Sequence, residues 1–162
     1  MISMVQSSEE LRELYRELIL DHARSPRHFG KLPDATHAAE GINPLCGDKL
    51  KMYFHIDADN RISDACFEGS GCAISVASAS LLTDTVIGLS TRDALGYFAT
   101  LVARLTGDEP ETSDAAGDGI DLGKLEALEG VREFPSRVKC ATLAWHALNS
   151  AIHRNPRPAT TE

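Results

Sequence analysis

The chain has 162 residues, of which 43% are hydrophobic, 25% are charged and 6% are aromatic, and its formal net charge is -8. This length and composition predict one domain, residues 1–162, with one aliphatic core, and they exclude wholesale disorder. Because the chain has no basic excess to neutralise phosphates, we expect no nucleic-acid binding.

The acidic residues are concentrated in one segment. Six of them lie between Gly107 and Gly123, where there is no lysine or arginine. Glycine, proline and serine are interleaved with these acids, so we interpret the segment as a solvated loop rather than a dedicated interaction segment. The stretch of about residues 107–129 is called the acidic insertion below.

Targeting signals are not evident in the sequence. No stretch approaches the ~20 apolar residues that a bilayer-spanning helix requires, and residues 1–10 lack the basic and apolar blocks of a secretory signal. We therefore expect a cytoplasmic protein that does not contact membranes. In that reducing compartment the cysteines are expected to bind a metal or react rather than form disulfides; they are Cys46, Cys66, Cys72 and Cys140.

The first predicted element is an amphipathic helix that ends near Pro26. Ser7 and Glu10 match a capping box, which predicts that the helix starts there. We interpret His22, on the apolar face, as a packing histidine rather than a metal ligand. The other residues of that face are Leu11, Leu14, Tyr15, Leu18 and Ile19.

A β-hairpin is predicted next. The segment from Leu50 to Ile56 alternates between apolar and polar residues, which is typical of a half-buried strand. A polar turn over residues 58–61 separates it from a second strand, Ile62 to Glu68. Ile62 is out of phase with the buried positions of that strand, which indicates a bulge or a late strand start. A third strand is expected before Asn43.

The rest of the chain is predicted to be mainly helical. Small residues follow Cys72 in one helix, Ser90 and Gly107 fit the two caps of the next, and the last helix follows Pro135, with a short helical piece before it at 124–129. The tail, residues 155–162, is expected to be frayed. Helices around a hairpin sheet, without βαβ alternation, predict an α+β fold with a small antiparallel sheet of about three strands.

Three cysteines and one aspartate lie at positions that could favour metal binding or a reactive thiolate. Cys46 and Asp48 flank Gly47 in a predicted turn, while Cys72 and Cys140 lie near helix starts, where the helix dipole favours a thiolate. Three thiolates and a carboxylate suit tetrahedral Zn²⁺ or an iron–sulfur cluster. Because the sequence contains no CxxC pair, spacing alone leaves ordinary buried cysteines as an equal alternative.

Four blocks around these residues resemble the successive signature segments of the IscU/SufU family, which is similar to the N-terminal domain of NifU. They are YRELILDHARSPRHFG (15–30), NPLCGD (43–48), FEGSGCAISVASAS (67–80) and RVKCATLAW (137–145). The resemblance covers about residues 8–154 and implies a SufE/IscU-like fold and a role in iron–sulfur cluster biogenesis.

The resemblance also implies which residues form the site. In the family, the residues that match Cys46, Asp48, Cys72 and Cys140 hold the metal or cluster, and Arg137 matches an arginine that could neutralise thiolates or contact the incoming persulfide. Cys66 matches no ligand position, so we interpret it as a structural strand residue. The part of the insertion from Gly107 to Gly123 contains no soft ligand, and we expect that it lies outside the metal site and can be shortened without loss of metal binding.

Two differences favour the SufU branch over IscU. Lys139 replaces the histidine that precedes the third cysteine in IscU, and residues 133–137 do not match the chaperone-binding Leu-Pro-Pro-Val-Lys segment. The acidic insertion also resembles an insertion of roughly twenty residues found in SufU proteins. SufU is a zinc-dependent sulfurtransferase that accepts persulfide sulfur from the pyridoxal-phosphate cysteine desulfurase SufS and passes it to downstream SUF assembly proteins.

The SufU resemblance implies a thiol-exchange mechanism. A cysteine thiolate attacks the outer sulfur of the partner's persulfide, and we expect Cys46 to be this acceptor because its loop can move, whereas Cys72 and Cys140 are fixed near helix starts. In the family a desulfurase histidine is thought to replace one cysteine at zinc. The alternatives are a scaffold that builds an iron–sulfur cluster on the same residues and a structural zinc module of another complex.

Overall fold

The computed structural model of the protein describes residues 4–107 and 121–161. It has the predicted α+β architecture, with helices covering one face of a small sheet. In chain order the elements are α1 Met4–Arg24, β1 His37–Asn43, β2 Asp48–Ile56, β3 Ile62–Ser70, α2 Ala73–Val86, α3 Thr91–Thr106, a 3₁₀ helix Gly123–Val131, α4 Pro135–Ile152 and β4 Ala159–Thr160.

The sheet has the strand order β3-β2-β1-β4. The pairs β1–β2 and β2–β3 are antiparallel, as predicted, and the strand expected before Asn43 is β1. The fourth strand was not predicted: the two residues of β4 pair in parallel with Gly41 and Ile42 of β1. The sheet is therefore mixed, with three antiparallel strands and a short parallel strand at its edge.

The β2–β3 hairpin follows the predicted alternation. Leu50, Met52 and Phe54 of β2 are fully buried, as are Ala65 and Phe67 of β3. The pairing register shifts between His55 and Ile56, so that Ile56 lies opposite Ile62. This irregularity explains why Ile62 is out of phase with the rest of its strand and yet fully buried.

Helix α2 lies at the centre of the packing, in contact with α1, α4 and β3. Its small side chains allow these neighbours to approach closely: the Ser78 hydroxyl donates to the Ala141 carbonyl at 2.5 Å and accepts from the Trp145 indole at 3.2 Å. Trp145 is fully buried. The Ser78 side chain therefore fixes α2 against α4 within the core through one hydrogen bond to backbone and one to a side chain.

Helix α1 begins at Met4, so the predicted start at the Ser7–Glu10 capping box is wrong. Leu11 and Leu14, predicted on the buried stripe, are 47% and 61% exposed. Sequence periodicity identifies the apolar face of a helix, but it does not show how much of that face is covered by the helices and strands that pack against it. At the other end His22 is buried and hydrogen-bonds Ser80 of α2, in agreement with a packing role.

Helix α3 has both predicted caps. The Ser90 hydroxyl accepts from the Asp93 backbone N–H, and Gly107 ends the helix with φ at +79°. The short helical piece is the 3₁₀ helix, which contacts α1, α3 and α4. Most of the acidic insertion, residues 108–120, lies outside the described residues. Within the described ranges, no helix is both long enough and apolar enough to cross a bilayer.

The expectation that residues 155–162 are frayed is wrong for residues 159–161. Besides the β4 pairing, the Thr161 backbone N–H donates to the Ile42 carbonyl at 3.3 Å, and Thr161 is buried. Two paired residues have no apolar periodicity, so local sequence does not reveal this strand. The tail therefore covers the edge of β1, one residue before Asn43.

Candidate metal centre

Cys46 lies in the loop that joins β1 to β2. Asn43 and Asp48 are paired across the two strands, so residues 44–47 form the loop between fixed ends. The Cys46 backbone N–H donates to the Asn43 carbonyl at 3.3 Å, and Gly47 has φ at +71°, which glycine adopts without strain. The Cys46 side chain is exposed. The loop therefore presents this sulfur at the protein surface.

Asp48 stands at the first position of β2 and is only 1% exposed. Both of its carboxylate oxygens accept hydrogen bonds from α2: Oδ1 from the Cys72 backbone N–H at 2.9 Å, and Oδ2 from the Ser75 hydroxyl at 2.7 Å. A buried carboxylate needs such partners because burial removes its water. Each oxygen keeps a further lone pair that could bind a metal.

The two remaining cysteines lie near helix starts. Cys72, predicted to open a helix, is the N-cap residue of α2 and is exposed. Cys140, expected in the first turn of its helix, lies in the second turn of α4 and is 2% exposed. Burial raises the pKa of the Cys140 thiol, and hydrogen bonds with Asp48 and Cys72 raise it further. The prediction of an acidic Cys140 is therefore wrong for the metal-free protein, because desolvation outweighs a dipole that acts mainly over the first helical turn.

The structure brings three of the four predicted ligands into one compact group. The ligand atoms of Cys46, Asp48 and Cys140 all lie within 4.8 Å of one another. A tetrahedral zinc ion with bonds of about 2.0–2.3 Å requires ligand atoms roughly 3.5–4 Å apart, so small side-chain movements would suffice. Cys72 lies beside this group through its backbone N–H on Asp48. The donor set of sulfurs and one carboxylate oxygen fits zinc, and its sulfurs also suit iron.

Arg137, which the resemblance places beside the thiolates, has no hydrogen bond or ion pair with a proposed ligand among the contacts of the described residues. It lies three residues before Cys140 on α4, is exposed, and places its guanidinium carbon 4.9 Å from the centre of the Phe134 ring. Three thiolates, Asp48 and Zn²⁺ would leave a charge of about -2 at the site. Arg137 would be a cation on the same helix as one ligand of that site, and it makes a cation–π contact with the Phe134 ring.

Cys66 lies outside the group. It is on β3, half-buried on the face of the sheet opposite Ala65 and Phe67, and it pairs with Tyr53 across the strands. Burial raises the pKa of its thiol. Both observations fit the structural role that we predicted for it.

Two residues of the centre were not predicted from the sequence. Asn43 is fully buried and its amide nitrogen lies 3.6 Å from the Cys140 sulfur, while Ser75 is fully buried and contacts Asp48. Both belong to the quoted blocks, but no spacing rule assigns them a role. Their function becomes visible only when the fold brings β1, α2 and α4 together.

The fold and the site together define a small α+β protein with a centre built from cysteine and aspartate. The family model for the NifU-like N terminal domain matches residues 14–141. The chain belongs to this family, which includes the IscU and SufU proteins of iron–sulfur cluster assembly, as the sequence blocks indicated.

The relatives that resemble this chain include proteins named SufU and proteins named IscU. The zinc-dependent sulfurtransferase SufU of Bacillus subtilis is 42% identical over 142 residues, which cover 88% of this chain and 91% of that protein. The iron–sulfur cluster assembly scaffold protein IscU of Streptococcus pyogenes is 40% identical, covering 90% of this chain and 87% of the relative.

A solved structure agrees with the family assignment. It is named as a candidate iron–sulfur cluster assembly scaffold protein for the SUF system from Fervidobacterium islandicum AW-1, and it is 33% identical to this chain with a TM-score of 0.73. The match covers 87% of this chain and 98% of the other. The described fold is therefore the fold of this family.

Proposed function

We propose that this chain is a zinc-dependent sulfurtransferase that accepts persulfide sulfur from a SufS-type, pyridoxal-phosphate cysteine desulfurase and passes it to downstream SUF proteins. The observation that carries the proposal is the exposed Cys46 sulfur within 4.8 Å of the ligand atoms of Asp48 and Cys140. The similarity to the SufU protein of Bacillus subtilis supports the same function. Because the reaction requires reduced thiols, we place it in the cytoplasm.

The residues that would hold zinc are Cys46, Asp48, Cys72 and Cys140. When bound, zinc keeps the cysteines as thiolates at neutral pH and shields them from oxidation. The raised pKa of Cys140 in the metal-free protein means that zinc binding must displace its proton. Asp48, as the hardest donor of the four, is the most exchangeable ligand in this proposal.

The transfer step uses the Cys46 thiolate. Its sulfur attacks the outer sulfur of the partner's cysteine persulfide, and a new S–S bond forms on Cys46. The S–S bond of the partner's persulfide breaks, and the partner's cysteine leaves as a thiolate. One sulfur atom moves with its hydrogen or charge, no external oxidant or reductant is consumed, and Cys46 ends as a persulfide.

Cys46 is better suited to this step than the other two cysteines. Cys140 is buried in α4, and Cys72 is attached to the first turn of α2, whose backbone is fixed by the core. Cys46 is exposed on a loop that contains Gly47. Arg137 would act beside it by stabilising the negative charge of the persulfide.

The test measures sulfur transfer from the desulfurase and identifies the cysteine that receives the sulfur. The zinc-loaded protein is incubated with a SufS-type desulfurase, pyridoxal phosphate and cysteine, and then digested without reductant. We expect one added sulfur on the Cys46 peptide, with Cys46→Ala abolishing stimulation of the desulfurase. Cys66→Ser is the matched control and should transfer sulfur normally. Persulfide found chiefly on Cys72 or Cys140, or full turnover by Cys46→Ala, would contradict the assignment of the acceptor.

A second candidate is a scaffold that assembles an iron–sulfur cluster on the same four residues. It is favoured by the IscU name of the Streptococcus pyogenes relative and by a donor set that suits iron. Metal analysis of the purified protein separates the two functions. Stoichiometric zinc with stimulation of a desulfurase supports the transferase, whereas iron with acid-labile sulfide supports the scaffold. Zinc without stimulation supports a purely structural zinc module.

A further inference from the structure

The hydroxyl of Ser75 lies between two of the proposed ligands. It donates to Asp48 Oδ2 at 2.7 Å, and the Ser75 hydroxyl oxygen also lies 3.4 Å from the Cys72 sulfur. Ser75 is fully buried, so water does not compete for these contacts. One hydroxyl therefore links the aspartate of β2 to the cysteine that begins α2.

Asp48 also supplies the cap of α2. The side chain of the N-cap residue, Cys72, makes no capping hydrogen bond, and the first turn of α2 contains no acidic residue. Instead Asp48 Oδ1 accepts the Cys72 backbone N–H at 2.9 Å. A carboxylate at a helix N-terminus is favoured by the helix dipole. The candidate metal centre and the first turn of α2 thus share a side chain.

The close approach of Asp48 to α2 requires Gly71. A Cβ atom at this position would lie 2.8 Å from Asp48 Oδ1 and 3.2 Å from the Ser75 Cβ. The backbone before α2 is therefore shaped around the carboxylate, and Asp48 is held in one orientation from two directions.

The other hydroxyls on α2 that have described partners contact no proposed ligand. Thr85 donates to the Leu81 carbonyl at 2.7 Å within its own helix, whereas Ser78 contacts α4 and Ser80 contacts His22 of α1. Ser75 instead donates to a side chain on another element, and that side chain is a proposed ligand. Its hydrogen bond serves the site rather than the local helix.

We propose that Ser75 is a positioning residue that fixes the Asp48 carboxylate in the orientation in which its free lone pair can bind the metal. This inference rests on the proposed zinc site. A carboxylate held at both oxygens cannot rotate about its Cβ–Cγ bond, so less side-chain freedom is lost when the metal binds. Without the Ser75 hydroxyl, Oδ2 is buried without its donor and the carboxylate rotates.

The test is the Ser75→Ala variant with a metal-binding readout that does not depend on sulfur transfer. By analogy with outer-sphere partners of metal ligands in general, we expect zinc affinity to fall about 10–100-fold, measured by competition with a chromophoric chelator. The d–d absorption bands of the Co²⁺-substituted protein should also shift, because the carboxylate ligand is displaced. Ser75→Thr retains a hydroxyl and should restore both properties at least in part.

Ser78→Ala is the matched control. Ser78 is a buried serine of the same helix, and its hydroxyl contacts Ala141 and Trp145 rather than a proposed ligand. This variant should lose thermal stability but keep wild-type zinc affinity and Co²⁺ bands. Equal losses of affinity in Ser75→Ala and Ser78→Ala would overturn the inference, since a general packing defect would then explain both.

The outcomes separate this inference from the proposed function. If the wild-type protein binds zinc and Ser75→Ala binds it equally well with unchanged Co²⁺ bands, the positioning role is wrong and the function stands. If the wild-type protein binds no zinc at its cysteines, the proposed function fails and the positioning role fails with it.

Discussion

The amide nitrogen of Asn43 lies 3.6 Å from the sulfur of Cys140 and connects the end of β1 to helix α4 inside the candidate metal centre. Both residues are buried, and the amide oxygen of Asn43 has no hydrogen-bond partner among the described residues. Burial of an amide with an unpaired oxygen costs folding free energy. We therefore infer that Asn43 is buried here because its N–H group contacts the Cys140 sulfur. An N–H donor stabilises the charged form of a thiolate.

The Asn43→Ala variant should therefore weaken zinc binding. We expect a loss of about 10-fold in affinity, because the Cys140 thiolate loses its donor within a desolvated site. Chelator competition measures this change. Thr142→Val is the control, since the Thr142 hydroxyl bonds only to carbonyls of its own helix among the contacts described. Wild-type affinity in Asn43→Ala would show that the contact is incidental.

Removal of zinc should strongly destabilise the protein. The unfolded chain cannot reproduce the closed site, so zinc at about 1,000 times its dissociation constant contributes about 4 kcal/mol to folding. For a chain of this size that corresponds to a melting temperature roughly 10 °C higher. Thermal melting with and without a chelator measures the shift. An unchanged midpoint in a zinc-loaded preparation would contradict the four-ligand site.

Acidification should destabilise the fold through His22. Burial lowers the pKa of this histidine, and the positive charge of Arg27 lowers it further. The unfolded chain then binds protons first, so stability is full above about pH 6.5 and falls as the pH decreases towards the folded-state pKa. His22→Asn, which retains a polar atom near Ser80, should show a flatter decrease in melting temperature between about pH 7.5 and 5.5.

The control for the pH series is His153→Asn, which changes an exposed histidine after α4. Its melting curve should follow the wild-type slope. Since zinc binding depends on pH in all three proteins, the difference between variants isolates the histidine. Parallel slopes for wild type and His22→Asn would show that His22 does not titrate with unfolding.

Deletion of residues 156–162 should lower stability and expose the edge of β1. The deletion removes the parallel pairing at Gly41 and Ile42 and the hydrogen bond from Thr161. A loss of about 1 kcal/mol corresponds to a melting temperature roughly 2–4 °C lower. Removal of Glu162 alone is the control and should have little effect. A deletion variant that melts with the wild type would mean that β4 contributes nothing to stability.

The features of the fold that depend on short, local sequence patterns were predicted from the sequence. The alternation from Leu50 to Ile56 specifies which face of β2 is buried, and Ser90 and Gly107 mark the ends of α3 through backbone chemistry of their own. The blocks around the three cysteines also identified the family. These signals do not depend on distant parts of the chain.

The properties that the sequence did not reveal depend on tertiary contacts. Burial by α4 and its neighbours reverses the expected acidity of Cys140, and the pairing of β4 depends on β1, more than a hundred residues earlier. The role of Ser75 is not visible in the sequence, because it depends on the hydrogen bond that Ser75 makes with Asp48 of β2. The family resemblance grouped the four proposed ligands, but the residues that contact them became visible only in the folded chain.

The β1–β2 loop also limits how far the proposed acceptor can travel. Residues 44–47 are held at both ends by the pairing of Asn43 with Asp48, and a chain extends by no more than about 3.5 Å per residue. The tip of the loop therefore stays within about 7 Å of its anchors. Cys46 can turn outward, but its sulfur stays close to this end of the sheet. In the proposed transfer the outer sulfur of the donor's persulfide therefore has to be delivered to this end of the sheet.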